Sequence, residues 1–318
     1  MIRTLWLLLL LCSSVTYAAE YSKATGGEPK VSITIVDDYP AVLELFEQMT
    51  YTDKSWANGK RQVPRIYLST VPKEWGKVIS KEIDVTLKKQ LFFRAIGPLV
   101  LRSNELIKHD RARLLALKKA ATISPEDSQW IEKLADHYRL TRESSAPKKL
   151  IPPLLLRVDT IPPSLILAQA AEESGWGTSR FAFAGNALFG QWTWGGDGIT
   201  PNQQRDGMGH YQIAKFDAPL LSVEAHALNL NSHPAYERFR ALRAKKHNAG
   251  KKLSGLDAAE TLDKYSERGQ DYVKSLQSII NYNKLKGTDD AYLATMHAIV
   301  LVPKSSVPQE QLTENAGN

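Results

Sequence analysis

Cysteine is almost absent from this chain of 318 residues, and so are long apolar runs. The single cysteine, Cys12, lies in the N-terminal segment; without that segment the chain has no thiol for a disulfide, a thiolate nucleophile or a metal site. No other stretch approaches the roughly 20 apolar residues that a membrane-spanning helix needs. The sequence therefore excludes cysteine chemistry and predicts no stable membrane insertion once the N-terminal segment is removed.

Metal-binding and nucleophile motifs are missing as well. His210, His226 and His233 lack the spacing of metal ligands, and no His-Glu-x-x-His pattern occurs. We interpret them as surface or hydrogen-bonded core histidines, and we expect neither a metal nor a cofactor. Ser179 and Ser222 have no nucleophile-elbow context, which argues against a serine hydrolase.

The formal net charge is +7. Such a charge can draw an exported protein to an anionic wall polymer or membrane surface, and it can equally serve solubility alone. Lysine and arginine are dispersed apart from short clusters, and no nucleic-acid motif accompanies them. We expect no nucleic-acid partner, and we expect a monomer.

The N-terminus has the pattern of a secretory signal. Arg3 supplies a positive charge, Leu5–Leu11 is a short apolar run, and small residues lead to Ala18. We predict a signal peptide over residues 1–18 and an exported protein, periplasmic or associated with the cell wall. A membrane anchor is the alternative, which the shortness of the run disfavours. A lipid-modified Cys12 is disfavoured because Leu11 stands where a small residue is needed.

Hydrophobic spacing divides the rest of the chain. Residues 19–75 are predicted to be an extended N-terminal segment with a strand at Val31–Val36, and residues 76–149 to be helical. Gly97-Pro98 is expected to kink or divide the long helix of that region. The end of the chain, residues 302–318, is polar and predicted to be a disordered tail.

The most informative stretch is a helix predicted to begin at Pro162-Pro163 and to end at Ser174-Gly175. Leu165–Ala171 is apolar on every side except Gln169, which is typical of a buried helix. Glu172 and Glu173 follow, and about 100° of helix separates them, so they face different ways.

A carboxyl in the last turn of such a helix is expected to have a raised pKa. Burial and the negative end of the helix dipole both disfavour its charged form. A Glu that keeps its proton near neutral pH can donate it to a leaving oxygen. The alternative is that both glutamates are simply solvated at a helix end.

Aromatic and amide side chains follow the two glutamates closely. Sugar sites commonly combine aromatic faces, amides and carboxylates, although each aromatic residue taken alone is more often part of a core. The candidates for substrate binding are Trp176, Asn186, Phe189 and Trp192.

The sequence AQAAEESGWGTS at Ala168–Ser179, followed by GNALFG at Gly185–Gly190, resembles the signature of the FlgJ-type glucosaminidases, which are glycoside hydrolases of family 73. The resemblance runs over residues 150–301, and the front helices are similar to those of the Bax-type subgroup of exported bacterial proteins. It implies a mainly α, lysozyme-like fold, in which a helical lobe and a small β-lobe flank a cleft, preceded by extra helices.

The resemblance also implies roles. The family's catalytic acid directly precedes Ser-Gly-Trp-Gly, which makes it Glu173 here, with Glu172 as a structural neighbour. Tyr265 and Tyr272 lie in a segment similar to the family's tyrosine-rich one, and become candidates for binding sugar or orienting water. The implied partner is the peptidoglycan glycan strand. The implied activity is that of an endo-β-N-acetylglucosaminidase, which hydrolyses the β-1,4 bond after N-acetylglucosamine.

The chain departs from the family pattern at the second carboxylate. Many members carry a second Glu in the β-lobe, but no Glu lies between Glu173 and Glu224. Asp206 is our candidate partner, and Arg205 beside it could bind substrate instead. A partner carboxylate lies about 5 Å away for retention and about 6.5–9.5 Å away for inversion, unless the substrate's acetamido group attacks instead.

Two other functions stay open on that account. One is a wall-binding or scaffold protein with weak or no hydrolysis. The other is a lytic transglycosylase, which needs a single acid.

Overall fold

The computed structural model describes residues 18–141, 146–204, 207 and 209–307. The predicted signal peptide, apart from Ala18, lies outside the described residues, as do Arg205 and Asp206. Among the helices that are described, none is long and apolar enough to cross a membrane.

The front region mixes short strands with helices. Its elements are α1 (Ser22–Thr25), β1 (Val31–Val36), α2 (Tyr39–Gln48), α3 (Asp53–Ala57), β2 (Gln62–Val63), β3 (Ile66–Leu68), a π-helical turn (Trp75–Ile79), α4 (Ser80–Glu82), α5 (Val85–Lys119) and α6 (Pro125–His137). The strand predicted at Val31–Val36 is confirmed.

The expected division of the long helix at Gly97-Pro98 is wrong, because α5 runs through Pro98 for 35 residues. Asp84 caps its start by accepting bonds from the amides of Thr86 and Leu87. Proline removes one backbone hydrogen bond, but Leu99 and Val100 beside it are fully buried. Contacts with the second half of the chain lie on both sides of Pro98, from Phe92 and Phe93 to Trp176 and from Arg111 to the Leu155 carbonyl, and they hold the helix together through that loss.

The second half of the chain is mainly helical. Its elements are α7 (Pro147–Arg157), α8 (Pro163–Ser174), α9 (Arg180–Gly185), β4 (Trp192–Thr193), β5 (Gly198–Ile199), β6 (Gln212–Ala214), α10 (Pro219–Ser232), a 3-10 turn (Pro234–Tyr236), α11 (Glu237–Asn248), α12 (Gly255–Ala259), α13 (Gln270–Tyr282), a 3-10 helix (Leu285–Asp290), β7 (Tyr292–Leu293), β8 (Ala298–Pro303) and a last 3-10 turn (Lys304–Ser306).

Helix α8 forms the centre of the molecule. It packs against α5, α12 and α13, and its residues from Pro163 to Ala171 are all buried. The Asp289 carboxylate accepts a bond from the Ser164 amide in the first turn. The helix ends at Gly175, whose φ of 57° is left-handed and suits glycine. The predicted start and stop of this helix are confirmed.

A small β-lobe stands beside this helical lobe. Strands β4, β6 and β5 form an antiparallel sheet in that order, with Trp192 and Ile199 both paired to Ile213. The predicted fold class is confirmed: the protein is mainly α, with a helical lobe, a small β-lobe and extra helices in front.

The chain ends inside the front region. Strand β8 inserts between β1 and β3, parallel to both, and pairs with β1 from Ala298 to Pro303. The predicted tail therefore begins too early, because Val302 is a buried strand residue that pairs with Ile35. Residues 308–318 of that tail lie outside the described part of the chain.

Candidate active site

Glu173 lies in the last turn of α8 and is half-buried. The hydroxyl of Tyr272, on α13, donates to its Oε1 over 2.8 Å. Tyr272 itself is only 1% exposed, so this bond is shielded from solvent. The structure thus joins Glu173 to one of the two tyrosines that the sequence proposed for the site.

Burial raises the pKa of Glu173, and it is the largest cause. The neighbouring Glu172 charge raises that pKa further, whereas the Tyr272 hydrogen bond and the Arg268 guanidinium lower it in part. The net direction is upward, as the buried helix end predicts. Glu173 therefore holds its proton to a higher pH than an exposed glutamate does.

Glu172 points elsewhere. Arg268 Nη1 lies 2.5 Å from its Oε1, and the Ser275 hydroxyl donates to its Oε2 over 2.9 Å. The two adjacent glutamates therefore face different partners, as their helical offset predicts.

A buried hydrogen-bonded chain lies behind Glu173. The Gln169 amide nitrogen donates to the Tyr272 hydroxyl over 3.2 Å, and the Gln169 Oε1 lies 3.0 Å from His226 Nε2. His226 Nδ1 lies 3.5 Å from the hydroxyl of Tyr265. Gln169 and His226 are both fully buried, and sequence reasoning did not assign them to the site. One signal was available for Gln169, since it is the only polar residue in an otherwise apolar stretch of α8.

Aromatic rings pack around these hydrogen-bonded side chains. Phe189 stacks on the His226 ring at 3.9 Å, and Tyr265 stacks on Tyr272 at 5.2 Å. Burial lowers the pKa of His226 to about 3, so its imidazole is neutral at any physiological pH. The interpretation of His226 as a hydrogen-bonded core histidine is confirmed. Phe189 touches the chain behind Glu173 and is itself buried.

Trp176 packs against the front region. Its ring meets Phe92 and Phe93 edge-on at 5.8 and 5.1 Å, and Lys89 Nζ lies 4.9 Å from its centre. Its carbonyl accepts a 2.9 Å bond from the Trp75 indole. The structure places this predicted sugar platform between the C-terminal end of α8 and helix α5.

Asn186 also faces the front region. Its Oδ1 accepts bonds from the Val71 amide at 2.8 Å and the Thr70 hydroxyl at 3.0 Å, and its Nδ2 donates to the Phe216 carbonyl. Its φ of 53° is left-handed, a conformation that asparagine tolerates better than most residues. The oxygen and the nitrogen of this amide both bond to protein groups, which gives Asn186 a structural role.

Trp192 lies in the β-lobe, away from the chain behind Glu173. Its ring stacks on Tyr211 at 4.3 Å and meets Trp194 edge-on at 5.9 Å. Trp194 is 67% exposed. The β-lobe thus presents an aromatic surface, with Trp192 as its half-buried base.

Among the residues that the structure describes, Glu172 is the one carboxylate whose charge shifts the pKa of Glu173. Glu224, the next glutamate along the chain, lies within range of Arg102 on α5, and burial raises its pKa to about 7. Nor do the described residues contain a group of three or more His, Cys, Asp or Glu side chains placed to hold a metal ion.

Residues 155–285 match the family described as glucosaminidase, mannosyl-glycoprotein endo-beta-N-acetylglucosaminidase. The chain is 31% identical over 199 residues to the protein Bax of Escherichia coli strain K12, a match that covers 63% of this chain and 71% of that protein. The catalytic domain of the autolysin Auto from Listeria monocytogenes matches 56% of this chain and 96% of its own length, at 21% identity and a TM-score of 0.33. The chain belongs to the glucosaminidase family.

Proposed function

We propose that this protein is a peptidoglycan hydrolase, an endo-β-N-acetylglucosaminidase with Glu173 as its general acid. The observation that carries the proposal is a half-buried carboxyl with a raised pKa, held by the Tyr272 hydroxyl at the end of the family's signature helix. Membership of the glucosaminidase family supports a glycosidase. A wall substrate agrees with the exported protein that the N-terminal sequence predicts, in the periplasm or at the cell wall.

In this mechanism Glu173 protonates the glycosidic oxygen as the bond to the leaving sugar breaks. The carboxylate that results is stabilised by the Tyr272 hydroxyl and by the positive charge of Arg268. A positioned acid of this kind contributes roughly 10²–10⁴-fold to the rate. The raised pKa favours the protonated form of the acid before the reaction.

The attack on the anomeric carbon comes from water or from the acetamido oxygen of the substrate. Glu172 is a poor base for that water because Arg268 and Ser275 already occupy its oxygens. Asp206 is the candidate that would activate water, and the acetamido route needs no second carboxylate for attack. Trp192 and Tyr265 are our proposed sugar-binding side chains, whereas Trp176, Asn186 and Phe189 act through packing.

We also propose the division of the chain made from the sequence. Residues 150–301 form the glucosaminidase domain, and the front region supports it through the contacts of Trp75 and Thr70-Val71 with the signature segment. The protein acts on glycan strands as a monomer.

The test is Glu173→Gln assayed on purified sacculi, with the released muropeptides identified by mass. Replacing the acid by an isosteric amide should lower the rate by roughly 10²–10⁴-fold. Glu172→Gln is the matched control, since it alters the adjacent carboxyl but leaves the Tyr272 contact in place, and it should keep most of the activity. Release of the same products at the wild-type rate by Glu173→Gln would refute the assignment of the acid.

A lytic transglycosylase is the second candidate, favoured because Glu172 is the one carboxylate among the described residues that shifts the pKa of Glu173, and Arg268 and Ser275 already hold it. Product mass distinguishes the two reactions. Hydrolysis adds water and leaves a reducing N-acetylglucosamine end, whereas transglycosylation leaves an anhydro sugar. Binding to sacculi without release of any sugar, across a range of pH and salt, would instead identify a wall-binding scaffold.

A further inference from the structure

We propose that Gln169 and His226 are positioning residues that fix the direction of the hydrogen bonds behind Glu173, so that Tyr272 donates to Oε1 and the proton for the substrate stays on Oε2. The inference rests on the proposed function, because it concerns how Glu173 is prepared to act as an acid. Neither residue touches the reacting atoms, and each acts through Tyr272.

The contacts form one continuous path. His226 Nε2 lies 3.0 Å from Gln169 Oε1, Gln169 Nε2 lies 3.2 Å from the Tyr272 hydroxyl, and that hydroxyl lies 2.8 Å from Glu173 Oε1. The path brings together α8, α10 and α13, and its inner members are fully buried. Water therefore cannot replace a missing partner without a penalty.

The tautomer of His226 sets the direction of this path. A neutral imidazole has one donor and one acceptor nitrogen. With the proton on Nε2, His226 donates to the Gln169 oxygen, and the Gln169 amide must then donate to Tyr272. The Tyr272 oxygen is occupied as an acceptor, so its own proton is free for Glu173. The Tyr265 hydroxyl completes the path by donating to His226 Nδ1 at 3.5 Å.

The reverse direction fails at Glu173. If Tyr272 donated to the Gln169 oxygen, its lone pairs would face Oε1 of Glu173 at 2.8 Å. After proton transfer Glu173 is a carboxylate, which only accepts hydrogen bonds. The forward direction therefore stabilises the product state of the acid, and it assigns the two oxygens different tasks before transfer. Oε1 accepts from Tyr272, and Oε2 carries the proton.

Several titratable or charged groups from the surrounding elements face Glu173. They are Glu172 on its own helix, Tyr272 on α13, Arg268 and Tyr265 in the segment before α13, and Tyr236 in the turn after α10. Arg268 is paired with Glu172, and the tyrosines are buried enough to stay protonated. A change in the pKa of Glu173 after substitution of Gln169 or His226 would therefore report on Tyr272.

The experiment compares His226→Gln, His226→Asn and Gln169→Met in the full chain. A glutamine side chain places a donor near the position of Nε2, whereas asparagine reaches only the position of Nδ1. We expect Gln169→Met and His226→Asn to lower kcat on sacculi roughly tenfold, the worth of one hydrogen bond, with KM little changed. His226→Gln should restore most of kcat.

The pH dependence gives the second readout. A weakened bond from Tyr272 removes a cause that lowers the pKa of Glu173, so the alkaline limb of kcat should move to higher pH in Gln169→Met and His226→Asn. Titration of the Glu173 carboxyl by carbon NMR should show the same upward shift without any substrate. Loss of packing alone would lower kcat at every pH without moving either readout.

The controls separate the two hypotheses. Gln48→Met, an exposed glutamine on α2, should leave the rate and the pH profile unchanged. If Glu173→Gln keeps wild-type activity, the proposed function fails. If Glu173→Gln is inactive but all three variants keep the wild-type kcat and the wild-type Glu173 titration, the positioning role is overturned. Equal behaviour of His226→Gln and His226→Asn would also overturn it.

Discussion

The segment from Gln169 to Asn186 serves two regions of the molecule in different ways. Toward α13, Gln169 and Glu173 form hydrogen bonds with the Tyr272 hydroxyl and the His226 imidazole, groups that can either donate or accept. Toward the front region, Trp176 and Asn186 are held by aromatic edges and by bonds to the backbone. The side toward α13 has a carboxyl with a raised pKa, Glu173. The side toward the front region has the Asn186 amide, whose oxygen and nitrogen both form hydrogen bonds to protein groups.

The difference teaches that neighbouring positions of one motif have unlike tasks. The residues just before Gly175 form the chemical side, which holds a carboxyl with a raised pKa. Those after it form the attachment side, which joins the front region to the end of the same helix. Ser174 connects the two sides, because its hydroxyl accepts a 2.8 Å bond from the Gly177 amide and donates to the Ala170 carbonyl. Substitutions on one side should therefore change chemistry, and those on the other should change stability.

The largest expected effect on stability is at Asn186, on the side that contacts the front region. Asn186→Ala removes three hydrogen bonds, strands the buried Val71 amide and puts alanine at a left-handed φ. We expect it to lower the free energy of unfolding by about 3 kcal/mol. Denaturant unfolding of the purified protein measures this loss.

Asn186→Asp is the matched control for that substitution. It keeps the oxygen that accepts from Thr70 and Val71, and its protonated carboxyl can still donate to the Phe216 carbonyl, whereas the ionised form places a negative charge against that carbonyl. At acid pH, where the carboxyl is protonated, it should therefore be more stable than Asn186→Ala. If the two variants unfold alike, the bonds to Thr70 and Val71 do not anchor the front region, and the contrast between the two sides weakens.

Tyr272→Phe tests the chemical side and has the next largest effect. The pKa of Glu173 is raised by burial and lowered in part by the Tyr272 bond, so removing the hydroxyl should raise it further. A general acid is active while protonated, and the alkaline limb of the activity profile should therefore move to higher pH. The rate should fall by roughly tenfold because the product carboxylate loses a donor.

The profile is measured on sacculi over a pH series, with Tyr282→Phe as control. Tyr282 lies at the end of the same helix and is exposed to solvent, whereas the donor to Glu173 is Tyr272. A shift of the alkaline limb to lower pH in Tyr272→Phe would contradict the assignment of Tyr272 as donor.

Trp75→Phe is the smallest of the three changes. It removes the indole donor to the Trp176 carbonyl and should cost about 1 kcal/mol of stability, with little change in the rate of catalysis. Thermal unfolding and the sacculus assay, run side by side, measure both quantities. Trp56→Phe, in the same front region but far along the chain from the signature segment, serves as control. A large fall in rate without a fall in stability would show that the attachment side also takes part in chemistry.

Local patterns in the sequence were sufficient for helix α8 and for the direction of the pKa of Glu173. The two prolines, the apolar run and Gly175 act within a few residues of each other, and burial of a helix end follows from its composition. The same local reasoning was wrong about a division of the helix at Pro98, where packing from both sides outweighs one lost hydrogen bond. It also ended the ordered chain too early, because β8 is stabilised by β1 and β3, more than 200 residues before it.

By itself, the sequence determined the class of the protein, the helix that holds Glu173 and the reason why the pKa of that carboxyl is raised. Tertiary structure alone decided that Gln169 meets His226 from 57 residues away and Tyr272 from 103 residues away. It also turned Trp176 and Asn186 toward the front region. The physical reason is that periodicity and capping act between neighbours in the chain, whereas the partner of a buried polar group is fixed by which helices pack together.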